Sequence, residues 1–320
     1  DEIDLERLFR GQPGPRPGRL RMLLGGRGGA NFLRIGSDDR LQRLFTGVMS
    51  ELLPERQLNS PLYGGSLHLR YEFYPGIALS LGGLTGVRVP NLDDQARLDF
   101  GRPGLLLPTQ TPLRSEAAYS AEIGVRSAFR RLEGAAYYAF TYLDSPIVLT
   151  PASLGGQDCL SGPDGGGCDR LLRRENGPAA LLHSVEGSLR VYMFWGLSAL
   201  ATVTYTHAMP VADGSAPLGR IPPVHGVAAL EFSRPRTVFS FAQLILRWAG
   251  PQRQLAAEDL FDPTICLLPA PTSSCRGTPG FVVLSLRSAL RLSSQIYMTG
   301  VIENITNDSY RFHGSGVDGP

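Results

Sequence analysis

Apolar and polar residues alternate with a period of two along much of this chain. In residues 116–126, Ala117, Tyr119, Ala121, Ile123 and Val125 alternate with Glu116, Ala118, Ser120, Glu122, Gly124 and Arg126. In residues 184–192, Val185, Gly187, Leu189 and Val191 alternate with Ser184, Glu186, Ser188, Arg190 and Tyr192. Successive side chains of a strand point to opposite faces, so both segments read as strands with one apolar and one polar side. The same pattern predicts hairpins from 62–74 with 77–89, 116–129 with 132–143, 182–192 with 197–207, 224–233 with 237–248, and 280–290 with 295–303, and a further strand within 19–35. The connections at 75–76, 130–131, 194–196, 234–236 and 293–294 are short, whereas 90–115, 144–181, 209–222 and 250–279 are longer. Short and long alternate strictly. An up-and-down membrane barrel sorts its connections this way, with short turns on one side and long external loops on the other. A soluble sandwich has no reason to do so. The predicted fold is therefore all-β, an antiparallel transmembrane β-barrel. Tyr137, Tyr138, Tyr142, Tyr192, Phe194, Trp195, Tyr205 and Trp248 fall near strand ends, where an aromatic girdle at the two interfaces belongs.

Ahead of this pattern, Leu41, Leu44, Phe45, Val48, Met49 and Leu52 recur at helical spacing behind Ser37-Asp38-Asp39, an N-cap with an acidic first turn. We accordingly divide the chain into an N-terminal segment, 1–60, with a strand at 19–35 and a loop helix over 38–53, and a barrel region, 61–320.

Composition agrees with many strands and turns, since the 320 residues include 38 Gly and 25 Pro and only 19% are charged. No apolar run approaches the roughly eighteen residues of a membrane helix. The mean hydropathy of -0.04 is what alternating barrel strands average to, and does not argue against a membrane. A net charge of +2, with no basic cluster interleaved with aromatics, excludes a nucleic-acid reading. The cysteines fall as Cys159 with Cys168 and Cys266 with Cys275, both pairs in long connections and without metal-ligand spacing. Two local disulfides in an oxidising compartment are the better reading over free thiols. His68, His183, His207, His225 and His313 form no spaced pair. Gly25-Gly26-Arg27-Gly28-Gly29 lacks the Lys-Ser/Thr of a phosphate loop. We read no enzyme, no cofactor and no metal site.

Three segments carry a family resemblance. Glu303-Asn304-Ile305-Thr306-Asn307, followed by Tyr310-Arg311 and by Gly314-Ser315-Gly316, resembles the segment before the closing strand of TonB-dependent outer-membrane receptors. Gly86-Val87-Arg88-Val89-Pro90-Asn91-Leu92-Asp93-Asp94 is similar to their Gly-Phe-Arg-Ala-Pro-Asn-Leu-Asp-Asp corner, with Val87 and Val89 in place of Phe and Ala. Leu218-Gly219-Arg220-Ile221-Pro222-Pro223 resembles the Ile-Pro-Pro segment that opens a later strand. All three stand in the family's order, so the resemblance covers about residues 60–320.

The resemblance implies a barrel in the bacterial outer membrane that takes up a scarce ligand of the siderophore-iron, cobalamin or oligosaccharide class. Family barrels are 22-stranded with a plugged lumen, so the ten or eleven strands here correspond to the C-terminal part. The implied partners are outer-membrane lipid and lipopolysaccharide, and TonB acting through a plug that has no counterpart in these residues. Asp1-Glu2-Ile3-Asp4-Leu5 matches the acidic-aliphatic TonB-binding box poorly. Strand edges cannot stand bare in hydrocarbon, so further chain or other envelope subunits must complete the wall. The alternative is a plug-less structural or anchoring barrel subunit of an outer-membrane complex. For ligand capture the long connections supply Arg170, Arg173, Arg174 and Arg276, which suit an anionic chelate through charge-assisted hydrogen bonds.

Overall fold

A computed structural model describes residues 2–4, 18–36, 56–97, 105–161, 168–212, 214–215, 217–260, 262, 265–266, 275–315 and 319. The chain forms β1 (Glu2–Asp4), β2 (Leu20–Ile35), β3 (Arg56–Tyr74), β4 (Ile77–Arg88), the short helix α1 (Leu92–Ala96) and β5 (Leu105–Leu107). There follow β6 (Glu116–Ala128), β7 (Leu132–Asp144), β8 (Ile147–Pro151), β9 (Cys159–Ser161) and β10 (Cys168–Asn176). The remainder is β11 (Ala180–Tyr192), β12 (Leu197–Pro210), β13 (His225–Ser233), β14 (Phe239–Ala249), β15 (Phe281–Arg291) and β16 (Tyr297–Ile302).

Twelve strands form one sheet in the order β1-β2-β3-β4-β6-β7-β11-β12-β13-β14-β15-β16, of which β1 is a three-residue fragment. Every neighbour within it is antiparallel. Among the described residues the sheet does not close, and β16 pairs with β15 alone. All eleven expected strands are present, with ends shifted by a few residues. β3 begins at Arg56 rather than at 62, because residues 56–71 pair with the whole of β2 and because Arg56 donates to Thr109 Oγ1 at 3.0 Å and to the Thr109 carbonyl at 2.8 Å. The expected helix over 38–53 lies outside the described residues.

Cross-strand register carries each face around the wall. Glu122 stands opposite Gly82 and Ala139, Glu186 opposite Tyr137 and Thr204, and Glu231 opposite Ser198 and Gln243. On this polar face Arg190 approaches Glu231 at 3.5 Å, Ser120 meets Thr141 at 2.7 Å, and Ser184 meets Thr206 at 3.2 Å. The other face turns outward Tyr119, Ile123, Val185 and Leu189, with relative exposures of 46%, 48%, 45% and 46%. A face so apolar and so uncovered is not a water-facing surface. No helix among the described residues is long and apolar enough to cross a membrane, which says nothing of strands.

The long connections hold structure that the alternation did not reveal. β10 pairs in parallel with β5 and antiparallel with β8 and β9, making a small second sheet that we call the crown. Its core is Leu107 against Leu171, each 1% exposed, with Ala152 and Leu154 packed on them. Asn176 fastens the crown to the wall. Its side-chain amide accepts from the Arg114 N–H at 2.7 Å and donates to the Arg114 and Ser145 carbonyls at 3.0 and 2.9 Å.

Candidate functional site

The corner after β4 shows what its motif residues do. Asn91 caps α1, its Oδ1 accepting the Asp94 N–H at 2.8 Å while Asp94 Oδ2 accepts the Asn91 N–H at 3.1 Å. This reciprocal box satisfies two donors that a helix start otherwise leaves open. Arg88 then pairs with Asp94 at 2.8 Å and with Glu116 across the strand pair. Pro90 is buried behind them.

A cavity of about 520 Å³ opens beside this corner. The wall residues that reach it, Arg88 and Pro210, stand on the polar face at the end of the long connections. β8 forms one side, and residues 217–220 with 256–258 form the other. Of the arginines expected to meet a ligand, only Arg174 lines this cavity. It approaches Asp94 at 3.7 Å and donates to the Asp93 carbonyl, and burial lowers the guanidinium below its ordinary pKa, an effect the charge of Asp94 opposes. Arg173 is buried inside the crown at 7% exposure, donating to the Pro108 carbonyl at 3.3 Å. Arg276 is exposed away from the cavity, and the side chain of Arg170 lies outside the described residues.

Two cavity residues escaped the sequence reading as site residues. Glu258 lies over the bare backbone of Gly219, where an added Cβ would sit 2.0 Å from Glu258 Oε1. Burial pushes this carboxyl above the usual range, and the nearby Arg220 pulls it back. Arg220 has φ of 62°, a conformation uncommon for a side-chain-bearing residue. Neither announces itself locally, since each is a single charge in a Pro- and Gly-bearing connection.

The C-terminal motif braces the far wall. Asn304 and Asn307 adopt φ of 49° and 52°, which Asn tolerates better than most residues, and Asn304 Oδ1 accepts the Asp308 N–H at 3.1 Å. The turned chain lays Tyr310 on Phe281, ring centroids 4.7 Å apart. It also buries His313, with Nδ1 2.9 Å from Thr278 Oγ1 and Nε2 3.5 Å from Asp259 Oδ2. Gly314 sits against Arg220, where a Cβ would come within 3.2 Å of the Arg220 side chain. In the Ile-Pro-Pro segment the Ile221 carbonyl accepts from Gln252 Nε2 at 2.8 Å, ahead of Pro222. Gly86 stands on the polar face opposite Gly64 and Ala118; Arg311 is partly buried, and Gly316 lies outside the described residues. Cys266 and Cys275 form a disulfide with Cα atoms 5.0 Å apart. Cys159 is disulfide-bonded as well, while the side chain of Cys168 lies outside the described residues.

An open antiparallel sheet with one apolar and one polar face, and a crowned cavity at the long-connection end, defines a barrel segment of membrane-receptor type. The profile described as TonB dependent receptor-like, beta-barrel matches residues 55–305, and the chain belongs to this family. Family members are outer-membrane transport receptors. Among curated proteins none matches the chain. Its fold is similar to that of the copper transporter OprC, with a TM-score of 0.64 and 14% identity over 93% of this chain and 41% of that one. The FrpB iron transporter from Neisseria meningitidis (F5-1 variant) aligns with a TM-score of 0.57 and 13% identity, over 94% of this chain and 40% of that one. The ferric enterobactin receptor PfeA from Pseudomonas aeruginosa, as its G324V mutant, aligns with a TM-score of 0.53 and 16% identity, over 91% and 46%. The chain spans less than half the length of these solved structures.

Proposed function

We propose that this chain is the C-terminal part of an outer-membrane receptor barrel that imports a scarce ligand, with its long connections outside the cell. The observation that carries this reading is the cavity at the long-connection end, placed where the polar face meets the crown. In this arrangement the apolar face meets lipid and lipopolysaccharide, the polar face lines the lumen, and the cavity is the first place an external ligand is held. Transport itself belongs to parts outside these residues, a plug and the TonB protein that moves it. The edge of β2 beyond its short pairing with β1, and the edge of β16, require further strands from the same protein or another subunit, since bare N–H and C=O groups are prohibitive in hydrocarbon. Copper and iron appear in the names of structural neighbours; the ligand class here is siderophore-iron, a related metal chelate, cobalamin or an oligosaccharide. Cys159 pairs with Cys168 under this reading, giving two crosslinked external loops. Non-reducing peptide mapping that joins Cys159 to any other residue would refute that pairing.

A second reading, in which another subunit supplies the strands beside these edges, is a structural barrel subunit of an envelope complex. Deleting the gene separates the two. An uptake receptor leaves a growth defect only on medium limited for one ligand, and inactivating TonB reproduces it. A structural subunit leaves detergent sensitivity without any ligand-specific defect.

A further inference from the structure

The charged groups lining the cavity divide into satisfied and unsatisfied ones. Arg88, Arg174 and Asp94 are engaged with one another or with Glu116 and backbone carbonyls. Arg220 and Glu258 face the same space, and among the described residues neither side chain makes a hydrogen bond or an ion pair. Two opposite charges that lie near each other ordinarily close into a pair. Here Arg220 is held by its positive φ and by Gly314 packed against it, while Glu258 rests over Gly219. Both groups thus line one cavity without an ion pair between them. A strained residue in a cavity wall is a place to look for function.

We infer that the cavity recognises a small amphoteric ligand, one whose acid group pairs with Arg220 and whose amine or other hydrogen-bond donor meets Glu258. This deepens, and rests on, the receptor reading above. An acid group suits the exposed Arg220 guanidinium because it accepts charge-assisted hydrogen bonds, two at once in the bidentate geometry. A donor suits Glu258 because the carboxyl is partly desolvated and has nothing else to accept from. Pro178, Pro217, Leu149 and Leu218 supply an apolar surface for the ligand's scaffold. Neither a purely anionic nor a purely cationic molecule satisfies both groups, since it leaves either the exposed Arg220 or the half-buried Glu258 without a partner.

The test uses the full-length receptor purified from the outer-membrane fraction and Nε-dansyl-lysine, a fluorescent probe with a free carboxylate, a free amine and an apolar ring system. Two blocked probes serve as comparisons, its methyl ester and its Nα-acetyl derivative. Saturable binding is expected, with the parent probe about tenfold or more tighter than either blocked form. Arg220→Asn removes the charge yet keeps a residue at ease with positive φ, and it should abolish the preference for acid over ester. Glu258→Gln should abolish the preference for free amine over acetylated amine. Absence of saturable binding, blocked probes binding as well as the parent, or variants that keep both preferences would overturn the inference while leaving a receptor correctly placed in the outer membrane. A protein missing from that fraction would overturn the receptor reading as well.

Discussion

In β11, Val185 and Leu189 turn outward with nearly half of their surface uncovered, whereas Leu171 and Leu172 of β10, the strand just before it in the chain, are each 1% exposed. The wall and the crown thus treat the same kind of side chain in opposite ways. Crown leucines are buried by protein, as in a water-soluble core, and each such side chain contributes about 1.5–3 kcal/mol. Wall side chains find no protein partner and need lipid to remove them from water. The difference teaches that one chain is built for two solvents, and that the boundary between them runs where the long connections leave the sheet.

Mutations that respect or violate this boundary should separate the regions. The largest effect is expected for Leu171→Ala, about 2–5 kcal/mol as a cavity in a small core. It should loosen the crown while the wall persists, seen as faster hydrogen exchange in 105–107 and 147–151 with unchanged protection in β11 and β12. On the wall, Ile123→Arg should cost about 2–4 kcal/mol near the bilayer midplane, against little for Ser188→Ala on the polar face. Reversible unfolding from lipid measures both, and equal costs would mean that the faces are misassigned. Gly226→Ala follows at about 1–3 kcal/mol, because its Cβ would lie 2.1 Å from the Thr202 carbonyl oxygen and 3.0 Å from the Trp248 ring. Gly83→Ala, with nothing within 4 Å of the new carbon, should be close to neutral in the same assay.

The smallest effect concerns Glu258. Its folded pKa is raised, so the folded state holds the proton more tightly than the unfolded chain. Stability from this group is therefore greatest at low pH and falls as pH rises from the unfolded value through the raised one. Glu258→Gln should flatten that part of the pH–stability profile, read by thermal unfolding across pH 4 to 8. An unchanged profile would show that the carboxyl is not desolvated.

The wall was legible in the sequence because period-2 alternation is local and repeats strand after strand. Its ends were less so, since long-range contacts such as Arg56 with Thr109 carry β3 beyond the alternating stretch. The crown was not legible. β5, β8 and β9 have three to five residues each, too few to display a period, and Leu105 meets Leu171 in a parallel pairing that no neighbouring residue announces. The paired leucines at 106–107 and 171–172 were the available signal. The motif segments did not reveal their structural roles: Asn91 is a helix cap, Arg88 a clasp between Asp94 and Glu116, and Gly314 packs against Arg220. Choosing loop arginines by charge alone could not tell Arg174, which lines the cavity, from Arg173, which is committed to the crown interior. Arg220 and Glu258 come to line one cavity only once folding brings two distant connections together.

The central claim, that the crown end faces outward and the short turns face the periplasm, is tested most directly by epitope tags on intact cells producing the full receptor. One tag goes at Gly155-Gly156, a turn with φ of 59° and 79° and nothing within 4 Å of either position's added Cβ. The other goes between Arg130 and Arg131, in the exposed turn joining β6 to β7. The account predicts antibody binding to the tag at 155 on intact cells, and to the tag at 130 only after the outer membrane is opened. The reverse pattern, or equal access to both, would contradict it.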